Sequence, residues 1–411
     1  MPQLNGKSIV LGVTGGIAAY KSAELVRELV KAGARVRVML SAGAQHFITP
    51  LTLQTLSGQP VATDTFDLTQ ESEIGHIRLA DGADAVMIAP ATANVIGKLA
   101  AGIADDLITT VMLAVRAPVV LAPAMNVNMW ENPIVQANLS RLRAHGYHVV
   151  EPDAGFLACG WEGKGRLPDT HVLLAEIERA LSPQDMHGER VLVTAGPNRE
   201  PIDPVRFISN RSTGKMGFAV AAAAWRRGAA VTLVAGPVAL PTPHGVRRID
   251  VLTAENMRQA VHAELDSATM LLMAAAVADY RSRRVASTKL KKGPGGMTLE
   301  LERTVDILTE LAPRTSPCVV VGFAAETDDV LANAERKLRD KHLDLIVAND
   351  VAGTQTGFEV DTNSVTMIDR SGQRETVPLM SKDAVADRIL DRALRLKQPQ
   401  GSSAQANVHS A

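Results

Sequence analysis

Twice along this chain a short β-branched run ends in a glycine turn and leads into an alternation of strands with amphipathic stretches. The first such opening is Ile9-Val10-Leu11-Gly12-Val13-Thr14-Gly15-Gly16 and the second is Val191-Leu192-Val193-Thr194-Ala195-Gly196-Pro197. In the first half the pattern predicts strands at 8–14, 35–40, 85–89 and 119–122 and a helix over 18–31. In the second it predicts strands at 190–195, 230–235, 269–274, 319–322 and 345–348 and a helix over 214–227. Strands that return in this way through helices form parallel sheets, so the fold class is α/β. The 411 residues exceed what one hydrophobic core usually serves, and 46% hydrophobic residues supply two. Between the repeats, Leu181-Ser182-Pro183-Gln184-Asp185-Met186-His187-Gly188 is polar, contains Pro and Gly, and reads as a linker with little to bury. The expected domains are 1–187 and 188–397, with a disordered tail of Gln, Ser, Ala and Asn at 398–411.

Several function classes lose support at once. A net charge of -1 and 3% aromatic residues offer neither the field nor the stacking platforms that nucleic acid requires. No apolar run has the length of a membrane span and no basic-apolar-small leader opens the chain, so a cytoplasmic protein is expected. Cys159 and Cys318 are far apart and read as free thiols, the second as a core residue before Val319-Val320-Val321. Neither glycine turn is a G-x-G-x-x-G, and the strand at 35–40 ends in Ser41 where a ribose-binding Asp or Glu would stand. That disfavours a nicotinamide oxidoreductase with two Rossmann domains. Gly214-Lys215 is followed by Met216, which is not a Walker A sequence.

Five patterns in the first domain are specific in combination: Gly15-Gly16-Ile17-Ala18-Ala19-Tyr20-Lys21, His76 after Gly75, Ala89-Pro90-Ala91-Thr92-Ala93-Asn94, Pro123-Ala124-Met125-Asn126-Val127-Asn128-Met129-Trp130, and Ala158-Cys159-Gly160. In their order and spacing they resemble the flavin-containing cysteine decarboxylases of the bacterial phosphopantothenoylcysteine type. The resemblance implies a flavodoxin-like or Rossmann-like flavoprotein domain in which Gly15, Gly16, Ile17, Ser41, Ala91, Thr92 and Asp106 hold FMN. Loss of a carboxylate from a saturated carbon needs an electron sink, which oxidation of the adjacent CH2–SH to a thioaldehyde would create. His76 is then the candidate base, Asn126 the amide that holds the substrate carboxylate, and Cys159, in a glycine-rich lid over 155–165, the acid that reprotonates the product. Read singly, His76 is an ordinary helix-start residue and Asn126 a cap or turn residue. A non-catalytic flavin-binding regulatory protein is the competing reading, opposed by the joint presence of His76, Asn126 and Cys159.

The second domain carries Phe207-Ile208-Ser209-Asn210-Arg211-Ser212-Thr213-Gly214-Lys215-Met216-Gly217, then Ala274-Ala275-Ala276-Val277-Ala278-Asp279, Lys289-Leu290-Lys291-Lys292, Asp306-Ile307-Leu308 and Gly322-Phe323. These resemble phosphopantothenate-cysteine ligase and imply a Rossmann-like ligase domain. Joining an amine to a carboxylate requires the carboxylate oxygen to become a leaving group, which a nucleoside triphosphate provides through an acyl nucleotide. Lys289 is the candidate transition-state cation and Asn210 the holder of the intermediate. The nucleotide candidates are Met273, Ala274, Ala275, Asp279, Val305, Asp306, Ile307, Leu308, Phe323, Lys337 and Lys341, with Asp279 also the candidate Mg2+ ligand. Lys337 and Lys341, four apart, are expected on one helix face. The resemblance implies CTP as the nucleotide, small-molecule substrates only, and a homo-oligomer of decarboxylase trimers and ligase dimers, in the limit a dodecamer. A solvated loop is the plain alternative for the basic stretch 281–292.

Overall fold

The computed structural model describes residues 4–66, 75–156, 160–292, 296–312, 318–326, 329–350, 357 and 359–397, apart from the side chains of Glu326 and Asp350. Cys159 and the expected tail at 398–411 lie outside the described residues. The chain divides into two compact units, Met1–Pro183 and Gln184–Ala411.

Among the described residues the first unit is built on a five-stranded parallel sheet. Its strands are β1 (Ser8–Val13), β2 (Arg35–Leu40), β3 (Ala85–Ala91), β4 (Val119–Pro123) and β5 (His148–Val149), in the order β2-β1-β3-β4-β5. Strand period decides the two faces. Ile9, Leu11 and Val13 enter one apolar cluster with Leu25, Leu29 and Ile177, whereas Val10 enters the other with Ile88, Ile96 and Val111. Both faces are therefore covered by helices, as a parallel sheet needs. An antiparallel hairpin, β6 (Asp153–Phe156) and β7 (Glu162–Arg166), follows, and the helix Thr170–Leu181 closes the unit.

The second unit repeats the scheme on a larger sheet. Its strands are β8 (Arg190–Ala195), β9 (Glu200–Pro201), β10 (Phe207–Ile208), β11 (Ala230–Ala235), β12 (Arg247–Asp250), β13 (Met270–Met273), β14 (Tyr280–Ser282), β15 (Leu301–Arg303), β16 (Val319–Glu326), β17 (Leu345–Asp350), β18 (Thr362–Asp369) and β19 (Arg374–Ser381). The main sheet has the order β12-β11-β8-β13-β16-β17-β18-β19, parallel as far as β17 and antiparallel beyond it. Strands β9 and β10, and β14 and β15, form two small antiparallel ribbons, so the basic stretch 281–292, for which a solvated loop is the plain alternative, begins in a strand. No described helix is long and apolar enough to cross a membrane.

The expected linker is corrected. Residues 184–189 are folded onto the second unit: Met186 is fully buried in its main cluster, and its N–H donates to the Arg227 carbonyl at 3.0 Å. Asp185 accepts from Arg227 Nε and Nη2 at 2.9 and 2.6 Å, and Gln184 Nε2 donates to the Arg226 carbonyl at 3.1 Å. Polar composition concealed one apolar anchor among residues that cap the end of the helix Lys215–Arg226.

Candidate active sites

In a parallel sheet, adjacent strands whose connections leave in opposite directions open a crevice at their carboxyl ends. In the first unit that point is between β1 and β3, and in the second between β8 and β13. Seven of the candidates of the first unit line the first of these, and Met273, Ala274, Ala275 and Asn210 lie at the second.

The β1/β3 crevice is a cavity of about 1050 Å³. Gly15, Gly16, Ile17, Ser41, Thr92, Asp106 and Asn126 all line it. Thr14 ties the two strand ends together: its buried hydroxyl donates to the Pro90 carbonyl at 2.7 Å and accepts the Thr92 N–H at 3.0 Å. Gly15 is required by contact rather than by conformation, since a Cβ there would lie 2.7 Å from the Gly43 carbonyl carbon. Gly16 caps the short helix Ile17–Lys21 without a side-chain bond, and Thr92 caps the helix Ala93–Ala101 through the Val95 N–H at 3.4 Å. Asn126 both caps and lines the cavity: its Oδ1 accepts the Asn128 N–H at 2.8 Å.

Charge enters this cavity as a linked pair. Lys98 Nζ lies 2.7 Å from Asp105 and 3.2 Å from Asp106. The hydrogen bond to Asp105, against the cost of burial, raises the ammonium's affinity for its proton. Burial pushes the Asp106 carboxyl up, but the Thr109 N–H and hydroxyl and the Lys98 charge outweigh it and hold it below the ordinary carboxylate range. Asp106 also caps the helix Leu107–Ala114 in a reciprocal box with Thr109. Sequence reasoning missed Lys98 and Asn94, yet both line the cavity, four apart on one helix. That spacing after the Thr92 cap was the available signal.

Three residues of the first constellation fare differently. Ala91 is fully buried in β3 and is absent from the cavity wall; its carbonyl accepts the Ala124 N–H at 3.1 Å. His76 lies half-buried on the helix Gly75–Asp81 and does not line the cavity. Cys159 lies outside the described residues, but the β6–β7 hairpin that flanks it contributes Phe156, Gly165 and Arg166 to the wall. Cys318 is 7% exposed, and burial pushes its thiol up to about 11, as suits an inert core cysteine.

In the second unit, hydrogen bonds gather the ligase candidates segment by segment. Asn210 donates through Nδ2 to the Ala276 carbonyl and accepts the Ser212 N–H at 3.0 Å. Ala275 N–H donates to Thr194 Oγ1 at 3.2 Å, and Ala276 N–H to the Gly196 carbonyl at 3.0 Å. This joins the run at 209–217 to the ends of β8 and β13. The exposed Asp279 accepts the Thr304 N–H on its carbonyl at 3.0 Å, next to the exposed Val305 and Asp306. Asp306 caps the helix Ile307–Leu311 and pairs with Lys341 at 2.8 Å. Burial raises its carboxyl, but Lys341 prevails and holds it low. Lys289 is exposed on the segment after β14.

Some nucleotide candidates can act only through their main chain. Met273 and Ile307 are 6% and 2% exposed in an apolar cluster, and Phe323 packs against the main cluster of the unit. Ala274 and Leu308 are partly buried. The shared helix face is also revised: Lys337 lies on the helix Val330–Asp340, whereas Lys341 caps its end and is committed to Asp306. Among the described residues no group of three His, Cys, Asp or Glu side chains is arranged to hold a metal ion, so Asp279 belongs to no such group.

Comparison with known proteins adds to this geometry. The flavoprotein family model matches residues 2–182, and the model of the DNA/pantothenate metabolism flavoprotein C-terminal domain matches 186–396. The coenzyme A biosynthesis bifunctional protein CoaBC of Bacillus subtilis (strain 168) is 50% identical over 404 residues, 97% of this chain and 99% of that protein. The protein of the same description from Escherichia coli (strain K12) is 47% identical over 393 residues, 94% of this chain and 97% of that one. A crystal structure of the C-terminal domain of such a bifunctional protein is 41% identical, with a TM-score of 0.45, over 52% of this chain and 98% of that one.

Proposed function

The chain belongs to the family of bifunctional coenzyme A biosynthesis flavoproteins and is an enzyme with decarboxylase and ligase activity, and on that premise we propose that its first unit binds FMN and its second uses CTP and Mg2+. In this reading the second unit joins 4'-phosphopantothenate to cysteine through an acyl cytidylate. The first then decarboxylates 4'-phosphopantothenoylcysteine to 4'-phosphopantetheine, in the cytoplasm. The observation that carries it is the β1/β3 cavity, lined by Gly15, Gly16, Ile17, Ser41, Thr92 and Asn126.

The cavity fits a flavin mononucleotide. Its volume of about 1050 Å³ admits a tricyclic ring with its ribityl phosphate. The glycine turn and the start of the helix Ala93–Ala101 suit a phosphate, while Ile17, Ile108, Met125, Met129 and Leu167 give an apolar wall for a ring. When bound, the flavin supplies the two-electron acceptor for oxidation of the substrate thiol and the donor that reverses it. Asn126 holds the substrate carboxylate, Lys98 keeps Asp106 ionised beside the flavin, and Cys159 delivers the proton that replaces carbon dioxide. His76 does not line the cavity of its own unit; in this reading it acts as base in the cavity of a neighbouring copy, within an assembly of decarboxylase trimers.

In the second unit Lys289 meets the triphosphate as pyrophosphate leaves. Asn210 holds the acyl nucleotide while the cysteine amine displaces CMP. Asp279 holds the nucleotide's Mg2+, and the main chain of 305–308 with Lys337 meets the base and phosphates. The purified protein should be yellow and release FMN on denaturation. With CTP, Mg2+, 4'-phosphopantothenate and cysteine it should form CMP, pyrophosphate and the amide. Folded but colourless protein that takes up no FMN would overturn the assignment of the first unit, and equal turnover with ATP would overturn the choice of CTP.

A further inference from the structure

The loop between β9 and β10 buries a carboxylate that the reaction as described does not use. Asp203 is 3% exposed, and its two oxygens do different work. Oδ1 accepts the N–H groups of Val205 and Arg206, each at 2.8 Å, and so fixes its own loop. Oδ2 reaches across 87 positions of sequence to accept the Leu290 N–H at 3.1 Å. Arg206 completes the grip: Nη2 donates to the Leu290 carbonyl at 3.1 Å, and Nη1 lies 3.6 Å from Asp203 Oδ2. One acidic and one basic side chain thus hold both polar groups of a single residue. Four residues earlier, the Ala286 N–H donates to the Ile202 carbonyl at 2.9 Å. Residues 286–290 are fastened at both ends to the 202–206 loop, and Lys289 lies between the fasteners with its side chain exposed.

We propose that Asp203, with Arg206, is a positioning residue of the ligation reaction that sets Lys289 against the reacting phosphates by clamping the peptide of Leu290. The proposal rests on the reading of Lys289 as the activation-step cation. A lysine is a point charge on a flexible four-carbon stem, and on an untethered exposed segment its mean distance from a phosphate would be ill defined. Fixing the adjacent peptide removes the backbone share of that freedom. The clamp also persists across the neutral range: burial raises the Asp203 carboxyl, but three N–H donors and the Arg206 charge outweigh it and keep it ionised.

The two oxygens make the clamp separable from the loop. In Asp203→Asn the amide oxygen can keep the Val205 and Arg206 bonds, which turns its NH2 toward the Leu290 N–H, donor against donor. The loop stays and the clamp opens. In the full-length protein, rapid quench with CTP, Mg2+ and 4'-phosphopantothenate should show acyl-nucleotide formation slowed roughly 10- to 100-fold, the scale of a misplaced catalytic group, with the CTP KM little changed. In a Lys289→Gln background the same change should add nothing, because the residue that Asp203 places is gone. If Asp203→Asn, with native melting behaviour, activates at the wild-type rate, or if the two losses multiply, the clamp is refuted while Lys289 keeps its role. If Lys289→Gln alone activates normally, the reading of Lys289 falls and the clamp with it. Should Asp203→Asn fail to fold, Arg206→Lys leaves every Asp203 loop bond in place and carries the same comparison.

Discussion

Replacing Met186 by alanine should cost the second unit a large part of its stability, although the residue belongs to a stretch that reads as a polar tether. The side chain is fully buried in the main cluster, and truncating a buried methionine costs about 2–5 kcal/mol. A fragment begun at Gly188 loses more than this. It gives up the Gln184 and Met186 bonds to the last carbonyls of the helix Lys215–Arg226, each worth about 1 kcal/mol. It also removes Asp185 from the buried Arg227, which keeps Asp391 at 2.8 Å and so is not stranded. The total is about 4–8 kcal/mol against a typical domain stability of about 5–15. Fragments begun at Gln184 and at Gly188 contain Trp225 as their one tryptophan, half-buried against the same cluster, so its fluorescence follows urea unfolding directly. With a slope of about 2 kcal/mol/M, Met186→Ala should lower the midpoint by roughly 1–2.5 M, and the Gly188 fragment should be lower still or unfolded. Equal midpoints for the two fragments would refute the anchoring of Met186.

Two further outcomes follow from single contacts. Gly15→Ala should push the glycine turn away from Gly43, because the new Cβ meets that residue's main chain at 2.7 to 3.0 Å; the flavin absorbance per protein should fall about tenfold, and an unchanged ratio would remove the steric reason for Gly15. Lys382 is 6% exposed, and burial, then Lys215, push its ammonium down to about 8 against the pull of Asp361. Between pH 8 and 10.5 the unfolded chain binds a proton that the folded chain has released, so stability should rise with pH across that window, by about 3 kcal/mol. Lys382→Met should abolish that increment, and a wild-type curve that tracks the variant through the window would refute it.

The parallel strands were the most legible part of the sequence. The ranges 35–40, 190–195 and 230–235 coincide with β2, β8 and β11, because each is a short run rich in Val and Leu, set off from the amphipathic stretches on either side, whose last residues are all buried. The hairpin of β18 and β19 was overlooked: in Thr362–Asp369 only alternate residues are buried over the first part of the strand, and the polar ones mask the run. At the sites, glycine turns and caps could be read locally, hence Gly15, Gly16 and Thr92. Asp203 could not, since Ile202-Asp203-Pro204 has the look of any turn and its partner Leu290 is distant in sequence. Nor does sequence tell which way a helix faces, and so His76 was grouped with a cavity that it does not line.

The outer margin of the large sheet bears on solubility at high concentration. Among the described residues β19 pairs with β18 on one side only, and an eight-residue strand with an open edge is a template onto which further chains can add. Between Val377 and Met380 the register slips against Asn363 and Val365, so that Pro378 and Leu379 stand opposite Ser364 alone, and Pro378 is exposed and without an N–H to offer. The opposite margin, β12, is four residues long and reads Arg-Arg-Ile-Asp. A newcomer strand would meet a kink and a missing donor at one end of the sheet, and charge with little length at the other. The unit can therefore carry eight strands without inviting a ninth, and Pro378→Thr is the change that would reopen the invitation.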